Sequence, residues 1–278
     1  YVAANDAGLQ VVDISTPTAP EAVGAYDTPG YARDVAIAGS YAYVADHEAG
    51  GLQVIDVSTP ANPVFAGWYN TPGRASGVAV AGSYAYVADW GSGLHVMNIA
   101  TPATPGLVGT YDTAGNAIGV EIVGSYAYVS DYGSGLQIID VSTASAPGLT
   151  GACATPGYAY DVAIAGDYAY LADQDYGLQV IDISTLSSPV IVGTRDTPGY
   201  AYGVALSGGY AYVADVAVGI EVIDISSPTS PLIVGTRNMP DSAWSVATAG
   251  DFAYVADLGT GLQIVDVSTA SDPVIVGT

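Results

Sequence analysis

Six aspartates, Asp46, Asp89, Asp131, Asp173, Asp215 and Asp257, each close a Tyr-Val-Ala triplet or a near variant of it. Carboxylates repeated in this way could hold Ca²⁺, which takes several oxygen ligands. Their spacing matches no calcium-loop pattern, however. Asp just ahead of a glycine-containing loop commonly caps the turn by accepting backbone N–H groups. Capping is therefore the expected role, with Ca²⁺ as the alternative, and no other cofactor is implied. A second series, Asp13, Asp56, Asp140, Asp182, Asp224 and Asp266, closes segments such as LQVID, with Asn98 in the same slot once. A hydrogen-bonding role, here expected to satisfy buried backbone between repeats, tolerates that Asn better than acid–base work would. Asp34 and Asp161 could act as a glycosidase-like carboxylate pair at a channel mouth. The histidines, His47 and His95, stand in neighbouring repeats. No Ser-His-Asp order, CxxC, HExxH or phosphate-cradling glycine loop accompanies them. A non-enzymatic protein is expected, and a channel-mouth hydrolase is the remote alternative.

The elements that position these residues are copies of one unit. The YVAD tetrad or its variant begins at Tyr1, Tyr43, Tyr86, Tyr128, Tyr170, Tyr212 and Tyr254, at intervals of 42, 43, 42, 42, 42 and 42 residues. Each full copy holds four short apolar segments, such as Val35 to Ala38, Tyr41 to Ala45, Leu52 to Val57 and the stretch from Pro63 to Tyr69. Gly-Ser, Gly-Asp or Gly-Gly separates the first two segments, as a tight hairpin requires. Proline opens the fourth at Pro20, Pro63, Pro105, Pro147, Pro189, Pro231 and Pro273. Since proline cannot donate to a ladder, that strand belongs at a sheet edge. Four strands in a repeat of this length mark a β-propeller blade. The expected fold is thus all-β: a single domain over residues 1–278, a seven-bladed β-propeller of four-stranded antiparallel blades. The first strand is found six times, so the N-terminal blade should lack its innermost strand.

The third segments read LQVVD at Leu9–Asp13, LQVID at Leu52–Asp56, LHVMN at Leu94–Asn98, LQIID at Leu136–Asp140, LQVID at Leu178–Asp182, IEVID at Ile220–Asp224 and LQIVD at Leu262–Asp266. With the YVAD strands and the STPxxP connections, the chain closely resembles the LVIVD repeat family, and it is similar to the YVTN-type propellers of microbial surface proteins. The resemblance covers essentially the whole chain. It implies a β-propeller of a bacterial or archaeal cell-surface or secreted protein, and it brings no catalytic motif.

Successive antiparallel strands put the loop leading into strand one, and the loop between strands two and three, on one face of a blade. The GSY turns and STPxxP connections fall on the other face and are nearly constant, whereas the first two loops differ in every copy. The lead-in loop varies at Tyr31, Arg74, Asn116, Tyr158, Tyr200 and Ser242, then at Arg33, Ser76, Ile118, Tyr160, Tyr202 and Trp244, and next at Asp34, Gly77, Gly119, Asp161, Gly203 and Ser245. The strand two–three loop varies through His47, Glu48, Trp90, Tyr132, Gln174, Asp175, Tyr176, Val216 and Leu258. Variation over a constant frame is the form of a binding surface, and Tyr, Trp and Arg are the residue types enriched where recognition energy concentrates. The candidate ligand-binding residues are Tyr31, Arg33, Arg74, Trp90, Tyr132, Tyr158, Tyr160, Tyr200, Tyr202 and Trp244. By contrast, the tyrosine pairs of strand two, such as Tyr41 and Tyr43, should pack between blades.

Charge narrows the partner. Four Arg, no Lys and 27 acidic residues give a formal net charge of −23, which repels nucleic acid and anionic lipid. No apolar run reaches the roughly 18 residues of a membrane helix. The start at Tyr1, without Met, suggests a processed chain or a piece of a longer one. Cys153 is the only cysteine, so it has no partner for an intramolecular disulfide. The expected function is a secreted or surface-attached binding or adhesion module for a glycan or protein. A structural role, as a spacer or lattice element of a surface layer or fibre, is the alternative. There Val190-Ile191-Val192, Leu232-Ile233-Val234 and Val274-Ile275-Val276 could form edge contacts, although packing between blades is the expected place for them.

Overall fold

The structure, a computed structural model, describes residues 1–48 and 50–278. Among them every regular element is a strand, and the strands form seven sheets, one for each repeat. The fold is a seven-bladed β-propeller. Blade one has three strands, Val2–Ala3, Leu9–Asp13 and Glu21–Tyr26, so its innermost strand is missing as expected. Each other blade is a four-stranded antiparallel meander in chain order. In blade two the strands are Tyr31–Ala38, Tyr41–His47, Gly51–Asp56 and Val64–Tyr69. Every outer strand begins one residue after its proline: Val64 after Pro63, Val190 after Pro189, Leu232 after Pro231. The chain divides into two compact units. Unit one comprises Tyr1–Asp13, Glu21–Asp131 and Gln137–Thr150; unit two comprises Ile14–Pro20, Tyr132–Leu136 and Gly151–Thr278.

Local sequence explains the strands. Ala38 pairs with Tyr41 across a two-residue turn in which Gly39 has φ +59° while Ser40 stays at negative φ, the sign pattern of a type II′ hairpin with glycine first. On strand two, Tyr41 and Tyr43 point to one side and pack with Ala75, Val78 and Met97 of blade three. Tyr210 and Tyr212 meet Ala243, Val246 and Val265 of blade seven in the same way. The tyrosines are therefore core residues, as their alternation indicates.

The constant connections also have a packing reason. A Cβ added at Gly67 of the blade two outer strand would strike the Pro102 carbonyl in the blade three connection, and one at Gly193 would strike Pro228 of blade six. Within unit two, Gly277 of blade seven meets Pro17 of the Ile14–Pro20 segment in the same manner. Each connection thus lies against the outer strand of the preceding blade, and neither side can vary without the other.

Two expectations need correction. Asp56, Asp140, Asp182, Asp224, Asp266 and Asn98, which close strand three, make local bonds instead of the expected ones between blades. Asp56 accepts the Ser58 N–H at 2.8 Å, Asp224 that of Ser226 at 2.8 Å, and Asn98 that of Ala100 at 2.9 Å, all at exposed positions. They are local Asx turns, in which bonds from the Ser hydroxyl and N–H hold Asp56 and Asp224 below the usual carboxylate range. The outer-strand apolar triplets do not lie wholly between blades either. Val190 is 55% exposed, Leu232 54% and Val274 43%, while the residues after them are partly buried. An edge strand has one free side, and its first residue there meets solvent rather than a neighbour.

Candidate recognition surface

The variable residues are aimed by a repeated backbone device. In blade two, pairing skips from Ala32↔Asp46 to Asp34↔Ala45, leaving Arg33 as the extra residue of a bulge. Blades six and seven skip Tyr202 and Trp244 in the same way. Tyr160 of blade five occupies the equivalent position just before its inner strand, with its N–H donating to Ala172 O at 2.9 Å. A bulge twists the strand and re-aims one side chain out of the sheet's alternation. Four of the candidates, Tyr31, Arg33, Tyr202 and Trp244, thus lie at the heads of strands, Trp90 and Tyr132 form isolated bridges, and Arg74, Tyr158, Tyr160 and Tyr200 lie in the lead-in segments.

The second device joins blades. Asn5, Trp90, Tyr132 and Gln174 follow the strand-two position at positive φ, between 37° and 51°. Non-glycine residues in that region cost roughly 1–2 kcal/mol. The conformation is held by backbone bonds to the next blade. Trp90 N donates to Ala117 O and Ala117 N to Trp90 O, each at 3.0 Å; Gln174 and Ala201 exchange bonds at 3.1 Å. The two variable loops of adjacent blades are thereby tied edge to edge.

The strand-two aspartates support this frame. Asp215 and Asp257 cap the loop after them as expected, through Ala217 and Val218 N–H and through Gly259 and Thr260 N–H, while Asp46, Asp89 and Asp173 reach back to the lead-in segment 16–18 residues earlier. Asp46 accepts from Thr28 Oγ1 at 3.0 Å and from Gly30 N at 2.9 Å. Asp89 takes Thr71 Oγ1 and Gly73 N, both at 2.6 Å, and Asp173 takes Thr155 Oγ1 at 2.6 Å and Gly157 N at 3.0 Å. Each pins the Thr-Pro-Gly lead-in of its own blade. Burial raises the Asp46 and Asp173 carboxyls against the lowering effect of those donors. Asp34 and Asp161 act between blades. Asp34 accepts from Val35 N and from Val78 N of blade three, both at 2.8 Å; Asp161 accepts from Val162 N and from Val204 N of blade six, both at 2.9 Å. Desolvation raises Asp34. Where the same slot holds Gly77, a Cβ would strike the Ile118 carbonyl of the next blade, so this position sets blade spacing and is not a recognition position.

In unit two these devices assemble five rings into one run. Tyr158 stacks on Tyr132 with centroids 4.2 Å apart and planes at 11°. Tyr132 meets Tyr160 edge-on at 5.8 Å and 73°, Tyr160 stacks on Tyr202 at 4.2 Å and 26°, and Tyr202 tilts against Trp244 at 4.8 Å and 59°. Offset and edge contacts of this kind are each worth about 0.5–1.5 kcal/mol beyond burial. Tyr158 is 43% exposed and the other four rings are partly buried. Gln174 Nε2 lies 3.5 Å from the Tyr202 hydroxyl. Gln174 Oε1 and Trp244 Nε1 are buried without a hydrogen-bond partner.

In unit one the tips carry different chemistry. Trp90 contacts the His47 ring edge-on at 6.4 Å. Burial, followed by the nearby cations of Arg33 and Arg74, holds His47 below its ordinary range, opposed by Glu48 and Asp89. Arg33 and Arg74 are exposed. Tyr31 is exposed as well and pairs through its backbone with His47, whereas the exposed Tyr200 takes no part in the run of unit two. Gln174 and His47 were not among the candidates; both occupy the slot after the strand-two Asp that also holds Trp90 and Tyr132, and that shared slot was the signal. His95 is buried, with Nε2 3.2 Å from Asp89 Oδ2, and belongs to the frame.

The LVIVD repeat matches seven times, over residues 1–28, 29–71, 72–113, 114–155, 156–197, 198–238 and 240–278. The chain belongs to the LVIVD repeat family. No curated protein matches it in sequence. Solved structures similar to this LVIVD protein share the fold at low identity. One is a protein of Bacteroides fragilis NCTC 9343 provisionally assigned as a 6-phosphogluconolactonase (TM-score 0.79, 14% identity, 98% of this chain and 90% of that one). Another is a functionally unknown protein from Desulfotomaculum acetoxidans DSM 771 (TM-score 0.75, 12% identity, 92% and 88%). A third is the β-propeller domain of Myceliophteria thermophila Cps50 (Swd1) (TM-score 0.67, 13% identity, 85% and 82%). No helix among the described residues is long and apolar enough to cross a membrane.

Proposed function

We propose that this LVIVD-repeat propeller is a non-enzymatic binding module, secreted or displayed on the surface of a bacterium or archaeon, that recognises a glycan or protein through the aromatic run of unit two. The observation that carries the reading is the continuity of Tyr158, Tyr132, Tyr160, Tyr202 and Trp244, contributed by successive repeats whose frames are otherwise nearly identical. Rings set on bulges of a rigid scaffold lose little conformational freedom on binding, which favours affinity. They offer flat apolar surface to a sugar ring or an apolar side chain. Buried atoms without partners, Trp244 Nε1 and Gln174 Oε1, add polar capacity beside that surface. The engagement of Asp34 and Asp161 by backbone donors supports the non-enzymatic reading, because a hydrolytic pair needs its carboxylates free for substrate. The test is a glycan array and a surface-protein panel probed with the protein and with Tyr160→Ala/Tyr202→Ala/Trp244→Ala. Loss of a captured ligand with retained strand signal in circular dichroism supports the site; undiminished capture refutes it.

The exposed outer-strand residues favour a second reading, a structural spacer or lattice element. Val64, Phe65 and Trp68 of blade two are 45%, 48% and 53% exposed, and an outer strand bearing such residues is a ready contact edge. Light scattering distinguishes the two: a monomer at all concentrations removes the lattice reading.

A further inference from the structure

A chain with 27 acidic residues has only four arginines, and two of them, Arg33 and Arg74, are exposed with no ion pair among the described residues. Unpaired cations in a surplus of carboxylates are unexpected, because pairing is cheap to arrange when anions outnumber cations several-fold. The local construction accounts for their position. Arg33 is the bulge residue of blade two, between the Ala32↔Asp46 and Asp34↔Ala45 pairs, and so is thrown out of the sheet. Arg74 follows Gly73, whose N–H is fixed by Asp89 Oδ2 at 2.6 Å. Asp89 directly precedes Trp90, whose backbone is fixed to Ala117. His47, paired with Tyr31 at the head of the same strand as Arg33, meets the Trp90 ring at 6.4 Å. The carboxylates that could quench the cations are otherwise used: Asp34 by Val35 and Val78, Asp89 by Thr71 and Gly73, and Asp46 by Thr28 and Gly30. Glu48 is exposed beside His47, and the exposed Asp6 follows Asn5, whose backbone exchanges bonds with Ala32 next to Arg33, yet neither forms an ion pair with the arginines among the described residues.

We propose that Arg33 and Arg74, with His47 and Trp90 beside them, form a subsite for a single carboxylate carried on a sugar ring, that is, for a uronic acid. A guanidinium presents a planar fork of donors that matches a carboxylate. The Trp90 ring supplies a flat surface for the C–H face of the pyranose. The net charge of −23 opposes approach of a polyanion or a strongly acidic protein, so this pair of cations suits one charge on an otherwise neutral residue. The subsite belongs to unit one and does not depend on the aromatic run.

Titration by NMR of the assigned Trp90 indole and His47 imidazole signals, with glucuronate, glucose and inorganic phosphate as separate probes, tests it. Glucuronate should shift both signals saturably, with affinity about tenfold or more above that for glucose, since a hydrogen bond to a charged group is worth roughly a factor of ten. The shifts should weaken with added salt. They should vanish in Arg33→Gln/Arg74→Gln, a pair of exposed substitutions that leaves the core intact. Equal affinity for glucose and glucuronate, or no shift with either, overturns the subsite. Phosphate binding as tightly as glucuronate overturns the assignment to a carboxylate. Survival of the glucuronate shifts in the double variant removes the two arginines from the site.

Discussion

The tips of unit two and the tips of unit one are made by the same bulge and the same bonded exchange between neighbouring loops, yet they carry opposite chemistry. In unit two Tyr160 stacks on Tyr202 at 4.2 Å and Tyr202 tilts against Trp244 at 4.8 Å, the last two on bulges and Tyr160 in the equivalent position. In unit one the corresponding positions hold Arg33, Ser76 and Ile118, and His47 meets Trp90 edge-on. The lesson is that the repeat fixes where a side chain points, while the residue in the slot decides what it recognises. An uninterrupted run arises only where consecutive repeats carry aromatics, because each ring reaches no further than the next blade.

The comparison is broken most sharply by removing the rings. Tyr160→Ala/Tyr202→Ala/Trp244→Ala is expected to weaken binding of an identified unit-two ligand by about 100-fold or more, since hot-spot truncations cost 2 kcal/mol or more each. Isothermal titration calorimetry measures this, and Arg33→Gln/Arg74→Gln should leave that same ligand's affinity unchanged.

The frame beneath should be alike in both units. Asp34→Ala and Asp161→Ala each strip the acceptor from two N–H groups, one in each of two adjacent blades, and should each lower stability by about 1–3 kcal/mol. Guanidinium denaturation of the two variants checks the equivalence; a large cost at one and none at the other would contradict a shared frame.

Acidification separates buried from exposed carboxylates. Burial raises Asp34, Asp46 and Asp173, so the folded state holds their protons more tightly than the unfolded chain does. Their contribution is present below the unfolded value near 3.8 and is lost as pH rises through the raised folded values, so stability should climb as pH falls towards 4. The Asx-turn carboxylates of Asp56, Asp140, Asp182, Asp224 and Asp266 are lowered, so their contribution is lost as pH falls further. Melting temperature against pH should therefore pass through a maximum on the acid side of neutrality. Asp34→Asn should flatten the neutral limb alone.

The smallest effect is expected at the edge of the run. Gln174→Ala removes a 3.5 Å contact with the Tyr202 hydroxyl and should change stability by less than about 0.5 kcal/mol, with a several-fold change in binding only if its free Oε1 meets the ligand. Thermal melts and the same calorimetry resolve the two.

The fold was legible because each of its signals is local and occurs many times. Gly39-Ser40 makes a hairpin by its own φ preference, Pro63 marks an edge by lacking a donor, and Tyr41 and Tyr43 alternate onto one buried side. The Asp46 series was read as local caps, which holds at Asp215 and Asp257, while Asp46, Asp89 and Asp173 bond a lead-in segment 16–18 residues earlier. Legibility failed where the outcome depended on a neighbouring blade. Asp34 and Gly77 look like variable loop positions in sequence, and only the Val78 N–H and the Ile118 carbonyl opposite them show that they set blade spacing. Val190 looks like core by type but lies on the free side of an edge strand.

The sequence alone determined the repeat, the strand count, the edge prolines and the identity of the varied residues, because hydrogen-bonding and turn preferences act over a few neighbouring positions. Tertiary structure decided which of those residues meet. Whether Tyr160 stacks on Tyr202 or stands alone depends on a bulge that turns each ring towards the next blade, over a distance of a few ångströms that no spacing along the chain encodes.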